Sequence, residues 1–450
     1  MIRNGPAVSS PWARRCLLAI ALIPVMFTLM AVPTRAATIT VSNTGNDTAD
    51  CGAVSAPCKT IKFALTKAAA NDSINVIEGQ YSEAVTVSKS VIITGVRSHP
   101  LPPPVAQTPP VVINGVGTDR VFTIAKGAAV TISNLIIQNA KSTADGAAIA
   151  NLGSLTVNNS TIQNNSLGKF GHERCAPCEG GGISNQGEMM LNNVIVSGNS
   201  ADGGAGGDFF NGVFIPNDIG GGIYNSGNLT VTNSTIISNV AGNTGGGIEN
   251  DGHLSLIKST VSNNTGGGIT NDGVFTAINS TIGLNKSAGV FDFPCNVQTT
   301  LTNVTVASNE IDLSNVPLPP GSGNDAVVCT KFNSTLTLQN SLIANSTLGA
   351  NCAGVFISED FNLDSGNTCG LHKAHDLSSK NPVLGPLEAN RPTLIPLGGP
   401  EPTNTFALLP GSPAIDAGGS STNNCPATDQ RGVSRPQGNA CDIGAYERIQ

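Results

Sequence analysis

Glu249, Asp251 and Asp272 are the residues whose types and spacing most readily suggest chemistry. They lie in two related stretches, GGGIEND at 245–251 and GGGITND at 266–272. If Ile248 and Ile269 point into a core, Glu249 and Asp251 share the opposite face of one strand, about 7 Å apart. Asp272 then repeats the position of Asp251 one unit on, about 4.8 Å away. Carboxylates that close repel, so one should keep its proton or a cation such as calcium should sit among them. A catalytic pair for polysaccharide cleavage is a further use of the same groups. Asn-Asp-Gly is also an ordinary turn sequence, and Gln186 and Ser226 fill the Asp251 column in neighbouring units. Solvated turn residues are therefore the first expectation, with calcium binding and catalysis as alternatives.

Two insertions offer a second surface. Residues 167–179 (LGKFGHERCAPCE) carry Phe170, and residues 201–219 (ADGGAGGDFFNGVFIPNDI) carry Phe209, Phe210 and Phe214. Aromatic rings on glycine-rich loops suit a binding surface, the alternative being that they cover the protein's own flank. Cys175 and Cys178 stand beside His172 and Glu173. A redox pair needs a helix N-terminus, and a zinc site needs wider spacing, so a disulfide is the plainer reading. His372 and His375, with Asp376 beside them, have metal-ligand spacing but are read as solvated.

The elements that must position these groups come from a repeat. GAAIANLGSLTVNNSTIQNNS (146–166), GGGISNQGEMMLNNVIVSGNS (180–200), GGGIYNSGNLTVTNSTIISNV (220–240), GGGIENDGHLSLIKSTVSNNT (245–265) and GGGITNDGVFTAINSTIGLNK (266–286) are copies of one unit. Each holds three short alternating runs separated by Gly or Asn, too short for hairpins of an ordinary sheet. Stacked as coils, they pair each run with its equivalent in the next coil and bury the Ile, Leu and Val positions. The fold class expected is all-β, a single right-handed parallel β-helix of about ten coils, on the order of 50 Å long. The two insertions enter at the same point of the coil and should emerge side by side. Asn134, Asn159, Asn193, Asn233, Asn279, Asn303 and Asn340 recur at one position, with Lys258 as the exception. Asn tolerates left-handed backbone at a tight corner, and stacked amides there would form a structural ladder.

The chain divides into a leader at 1–36, an N-terminal cap at 37–81, the β-helix at 82–346 and a C-terminal cap at 347–450. Arg3, Arg14 and Arg15, an apolar stretch from Cys16 to Val32, and Thr34-Arg35-Ala36 form the pattern of a cleaved secretory signal peptide, with an uncleaved anchor as the alternative. Ile61, Leu65 and Ala68 or Ala69 fall on one face of a short helix suited to covering the first coil. Removing the leader takes away Trp12 and four arginines, and lowers the net charge from −7 to about −11. That balance disfavours nucleic acid as a partner. Ten cysteines remain for an oxidising compartment, and neighbour pairing gives Cys51–Cys58, Cys175–Cys178, Cys295–Cys329, Cys352–Cys369 and Cys425–Cys441.

The coil pattern resembles the right-handed β-helix repeats of exported bacterial proteins, and VIEGQYSEAVTVSKSVIITGV at 76–96 resembles the first coils of pectin-lyase-like proteins. NPVLGPL at 381–387, ALLPGSPAIDAG at 407–418 and DQRGVSRPQGNACDIGAYE at 429–447 are similar to the bacterial choice-of-anchor Q domain. These resemblances imply a secreted or surface-attached protein, many relatives having no assigned activity. Between residues 146 and 310 the only Lys or Arg are Lys169, Arg174, Lys258 and Lys286, and only Tyr81, Tyr224 and Tyr446 remain as sugar-stacking candidates besides Phe. The expectation is a monomeric structural or adhesive protein that binds a polysaccharide or a surface protein through the inserted loops. It needs no cofactor unless calcium binds, and it has no membrane span once the leader is cleaved. The alternative is a polysaccharide lyase or glycoside hydrolase acting at Glu249, Asp251 and Asp272.

Overall fold

The computed structural model of the protein describes residues 36–97, 111–117, 119–168, 178–201, 207–210, 213–216, 218–292, 297–310, 325–329, 335–347, 350–391, 403–420 and 425–450. For 207–210, 213–216 and 325–329 it describes the backbone alone. Residues 1–35, Phe170, Cys175 and Cys295 lie outside this set, as do the side chains of Phe209, Phe210, Phe214 and Cys329.

Each repeat makes one coil with three strands. In one coil these are Ile248–Asn250, His253–Ile257 and Thr260–Ser262, and in the next Ile269–Asn271, Val274–Ile278 and Thr281–Gly283. Each strand pairs in parallel with its equivalent one coil on, for example Glu249 with Thr270 and Ser255 with Thr276. Among the described residues this builds three sheets of ten, twelve and twelve strands, called here sheets 1, 2 and 3 in coil order. The result is a right-handed parallel β-helix, the hand that parallel crossovers take. Ile248, Leu254, Leu256 and Val261 of one coil are buried in a single continuous core with their equivalents above and below. A fourth, shorter ladder was not legible as a strand. Lys141–Ser142, Ser166–Leu167, Ser200–Ala201 and Val240–Ala241 pair just before the glycine-rich corner.

That corner explains the glycines. At Gly245 the backbone is left-handed, φ +63°, and a Cβ would lie 2.4 Å from the Glu249 Oε2. At Gly180, φ +80°, a Cβ would lie 2.0 Å from the Ile183 carbonyl oxygen. The chain doubles back here against the outer side of sheet 1, a path only glycine permits.

The sheets run beyond 82–346 at both ends. Thr38–Val41, Ser73–Ile77 and Gly79–Ser82 already belong to them, and so do Ala350–Ala353, Phe356–Ser358 and Leu377–Ser378. The helix Ile61–Lys67 buries Ile61, Ala64 and Leu65 against the first strands. Its free N–H groups are met by the Thr60 hydroxyl on Phe63 and by the Glu83 carboxylate on Ile61 and Lys62. Cys51–Cys58, Cys352–Cys369 and Cys425–Cys441 are bridged. Cys178 is disulfide-bonded as well, and the expected pairings Cys175–Cys178 and Cys295–Cys329 involve residues outside those described.

The corner asparagines behave differently from a uniform ladder. Asn134, Asn159, Asn193, Asn233, Asn279, Asn303 and Asn340 all have left-handed φ between 46° and 60°, as does Lys258. Their amides nevertheless serve different partners along the column. The Asn193 amide donates to the Asn159 side chain at 2.8 Å, but Asn279 donates to the Thr428 carbonyl and Asn340 accepts from the Gly419 N–H. Two other columns carry the continuous amide ladders, and both are buried. Asn151, Asn185, Asn225, Asn250 and Asn271 are joined side chain to side chain at 2.7 Å, ending on Asp292. Asn165, Asn199, Asn239, Asn264, Asn285 and Asn309 form the second, at 2.9–3.1 Å.

The C-terminal segment, expected as an end cap, also lies back along the outer face of sheet 3. Thr403, Asn404 and Gln430 bond Thr260 or its coil, Gln430 also bonds Thr281, and Ala445 bonds Thr305. Phe406 lies where a Cβ on Gly283 would come within 2.6 Å of its ring. Leu342, Leu363, Leu408, Ala414 and Ile443 form a second apolar cluster beneath it. The charges of the DQRGVSRPQGNACDIGAYE stretch are buried against one another. Arg431 pairs with Asp429 at 2.7 Å and lies over the Tyr446 ring, while Arg435 faces Glu447 and donates to the Asp442 and Gly444 carbonyls. Those residues hold the segment in place.

Candidate functional site

The three carboxylates picked out by sequence do come together. Oxygens of Glu249, Asp251 and Asp272 all lie within 4.8 Å of one another. Sheet register places them: Glu249 sits in a sheet 1 strand, while Asp251 and Asp272 occupy successive turns between sheets 1 and 2. Those turns are stacked by hydrogen bonds from Asp251 N to Asn225 O and from Asp272 N to Asn250 O.

Their environments differ sharply. Asp251 and Asp272 are exposed, whereas Glu249 is 4% exposed. Glu249 has the outward parity expected, between inward Ile248 and Asn250, but the chain doubling back at Thr244-Gly245 covers it. Its carboxylate bonds the Thr244 and Thr270 hydroxyls, and its Oε2 has no hydrogen-bond partner. Burial, then the charges of Asp272 and Asp251, push its pKa well above the carboxylate range. Partial desolvation, then the neighbouring Asp251 and Asp292, raise Asp272 to about 7. Asp251 is raised by burial and partly held down by the Tyr224 hydroxyl, which donates to its Oδ2 at 2.7 Å.

Sequence reasoning missed three participants. Tyr224 occupies the Glu249 column one coil earlier and is buried. Glu179, on the strand Cys178–Glu179, is pushed to about 7 by burial and by Asp145 and Asp251. Asp292 is raised to about 6 by burial, although it accepts from Thr299 and Asn271. The signal for Tyr224 was its register with Glu249. Glu179 stood inside a loop whose path the repeat did not specify. None of Glu249, Asp251 and Asp272 is ion-paired among the described residues.

The other sequence candidates are not members of this carboxylate cluster. Cys178–Glu179 pairs in parallel with Asp218–Ile219, so the two insertions rejoin the coils side by side. Phe209 and Phe214 are cross-strand partners in an antiparallel hairpin, Gly207–Phe210 with Val213–Pro216. His375 bonds Asp360 at 2.8 Å and stacks on Phe361, while Asp376 bonds Ser358, so this histidine and aspartate serve different local partners. Of the tyrosines, Tyr81 is buried and Tyr446 lies against Arg431, so neither offers a sugar platform beside the carboxylates.

The raised carboxyls set the sign of a pH effect. Glu179, Asp272 and Asp292 have folded pKa values above their unfolded ones, so the folded state binds more protons. Their contribution to stability is fully present below the unfolded carboxylate range, near pH 4, and is lost as pH rises through 6 to 7. Thermal melts at constant ionic strength in chelator should therefore show Tm falling by roughly 5 °C between pH 5 and pH 8. A Tm that rises over this interval contradicts the assignment.

No protein-family model matches the chain, and no curated protein matches it. Among solved structures it is similar to pectate lyase Pel9A, at 17% identity over 92% of this chain and 97% of that one, TM-score 0.45. It is also similar to the pectin methylesterase PemA from Erwinia chrysanthemi, at 12% identity over 76% and 93%, TM-score 0.33. The A-module of the mannuronan C-5 epimerase AlgE4 from Azotobacter vinelandii is a third, at 11% identity over 68% and 91%, TM-score 0.32. At these identities and scores none of their activities transfers to this chain.

Proposed function

We propose that this chain is an exported β-helix protein that binds a polysaccharide along the flank carrying Glu249, Asp251, Asp272 and the two insertions. The observation that carries the reading is the stacked, exposed pair Asp251 and Asp272, backed by a buried carboxyl and without an ion-pair partner among the described residues. Fixed carboxylate acceptors about one coil apart suit the hydroxyls of an extended sugar chain. The insertions rejoin the coils at Cys178–Glu179 and Asp218–Ile219, and Glu179 feels the charge of Asp251. A leader and three disulfides agree with work outside the cell. The segment similar to the choice-of-anchor Q domain is, on this reading, a structural strap.

One observation favours cleavage as a second reading. Burial pushes the Glu249 carboxyl well above the usual carboxylate range beside Asp251, which accepts a hydrogen bond from Tyr224, and two carboxyls in contrasted settings are what acid–base hydrolysis of a glycoside needs.

The mature protein screened against neutral and acidic polysaccharides, scoring both retention and released product, tests both. Asp251→Asn with Asp272→Asn should weaken binding at least tenfold with unchanged circular dichroism. Unchanged binding by that variant removes the flank from the site, and product formation lost in Glu249→Gln would establish the second reading.

A further inference from the structure

We infer that the outer face of sheet 2 is an ice-binding surface. This goes beyond the glycan-binding reading and does not rest on it, since a different face of the coils carries it.

Sheet 2 is the face that the chain leaves open. The glycine corners double back over sheet 1, and the C-terminal strap lies along sheet 3. On sheet 2, every outward position from Ala129 to Gln339 in the described strands is partly or fully exposed. Register aligns these positions into columns. The central one, from Thr131 to Thr337, is Thr or Ser in seven of eight coils, with Met190 as the exception. The column beside it, from Ser133 to Gln339, is polar in all but Ile257 and Ile278.

Charge narrows the partner. The outward positions of these eight strands hold no Phe, Tyr or Trp, no Lys or Arg, and one carboxylate, Glu188. On a mature chain of net charge about −11, so neutral a face matches an uncharged partner. Without aromatic rings it offers no platform for sugar stacking. The partner must also repeat in two directions. Equivalent hydroxyls recur about 4.8 Å apart from coil to coil, and the two columns stand about 7 Å apart along each strand. The oxygens of hexagonal ice repeat by close to these two lengths along its a and c axes. Threonine suits such a partner, because its hydroxyl anchors a water while its methyl leaves the neighbouring waters bonded to one another.

A lattice match needs a rigid sheet, and both ends of the strands are pinned from inside. At the start, the amides of Asn151, Asn185, Asn225 and Asn250 donate to the first carbonyl of the sheet 2 strand one coil on, at 3.0–3.3 Å. At the end, a buried serine column caps the last carbonyl, as Ser234 does for Thr232 at 2.7 Å and Ser259 for Ile257 at 2.8 Å. Side-chain ladders of this kind hold a many-stranded sheet against twist.

The probe is ice itself. The mature protein should enrich in the solid fraction during slow freezing and should suppress ice recrystallisation at micromolar concentration. Thr230→Lys with Thr276→Lys places two long, strongly hydrated charges in the central column and should reduce both effects at least tenfold, with circular dichroism and urea midpoint unchanged. Thr276→Ser, which keeps the hydroxyl, should lose less. Thr161→Lys, at an outward position of sheet 3, should behave like the wild type. Absence of ice activity in the wild type overturns the inference, and so does activity that survives the double substitution in a folded protein or falls equally in Thr161→Lys. Retention on crystalline cellulose or chitin without ice activity reassigns the face to a solid glycan. Self-association without ice activity, abolished by the same pair, reassigns it to a second copy of the chain. Either result overturns ice as the partner and leaves the carboxylate flank untouched.

Discussion

Asn264→Ala is expected to destabilise the protein by on the order of 4 kcal/mol, one of the two largest effects foreseen for a single substitution. The Asn264 Oδ1 accepts both the backbone N–H and the side-chain amide of Asn239, at 2.9 and 3.1 Å, and its Nδ2 donates to Asn285 and to the Ile236 carbonyl. All of these groups are buried, so truncation leaves two donors and one acceptor unsatisfied, each costing roughly 1–3 kcal/mol. Urea denaturation should show a lower midpoint with an unchanged slope. Asn239→Ala with Asn264→Ala should cost much less than the sum of the singles, since the same bonds are lost in both. At the corner column the outcome should be opposite in kind. Asn233→Gly should change stability by no more than about 0.5 kcal/mol, because glycine takes the left-handed φ of 48° without penalty. A loss of similar size at both positions would mean that the interior ladder carries no special weight.

The second large effect is local. Arg435→Met removes a guanidinium 8% exposed that lies 3.5 Å from Glu447 and donates to the Asp442 and Gly444 carbonyls. Breaking a buried pair from one side leaves an uncompensated charge and costs roughly 3–5 kcal/mol. The strap along sheet 3 should bear that loss. Hydrogen exchange is expected to speed up in residues 403–450, while the amides of Val231, Leu254 and Ile269 keep their protection. Uniform deprotection would show that the strap and coils unfold together. Glu447→Gln in addition should restore part of the stability, because the stranded carboxylate is then gone.

Much of this molecule was legible because its architecture is written once per coil. The alternation of Leu254, Leu256 and Val261 with outward residues, and the glycines before Ile248, repeat often enough for register to be read directly. The carboxylate cluster followed from that register, since Asp251 and Asp272 differ by one period. What register could not reveal was cover. Glu249 has the right parity to be outside, and only the path of Thr244-Gly245 makes it an interior group. Likewise, the column of Asn134 to Asn340 drew attention because Asn suits corners, while Asn250 and Asn264, equally periodic, sit inside, where polar residues are not expected. The C-terminal segment has no period, so nothing in it announced that Thr428 would meet Lys258 and Asn279.

The amide columns also give the coils a chemical polarity. From Asn151 to Asn271 every side-chain amide donates to the residue of the following coil, and from Asn185 on each also accepts from the one before. A head-to-tail chain of this sort can be lengthened by any whole number of coils, because each added asparagine arrives with one donor and one acceptor. The first column ends on the carboxylate at 292, which accepts from Asn271 and Thr299, while the second ends on Asn309, whose amide turns to the Ile282 carbonyl. Asp292 is the terminator of the first column. Internal duplication of a coil on its N-terminal side should lengthen the amide chain, while the coils past it, which continue with Cys329 in register, carry no amide at that position.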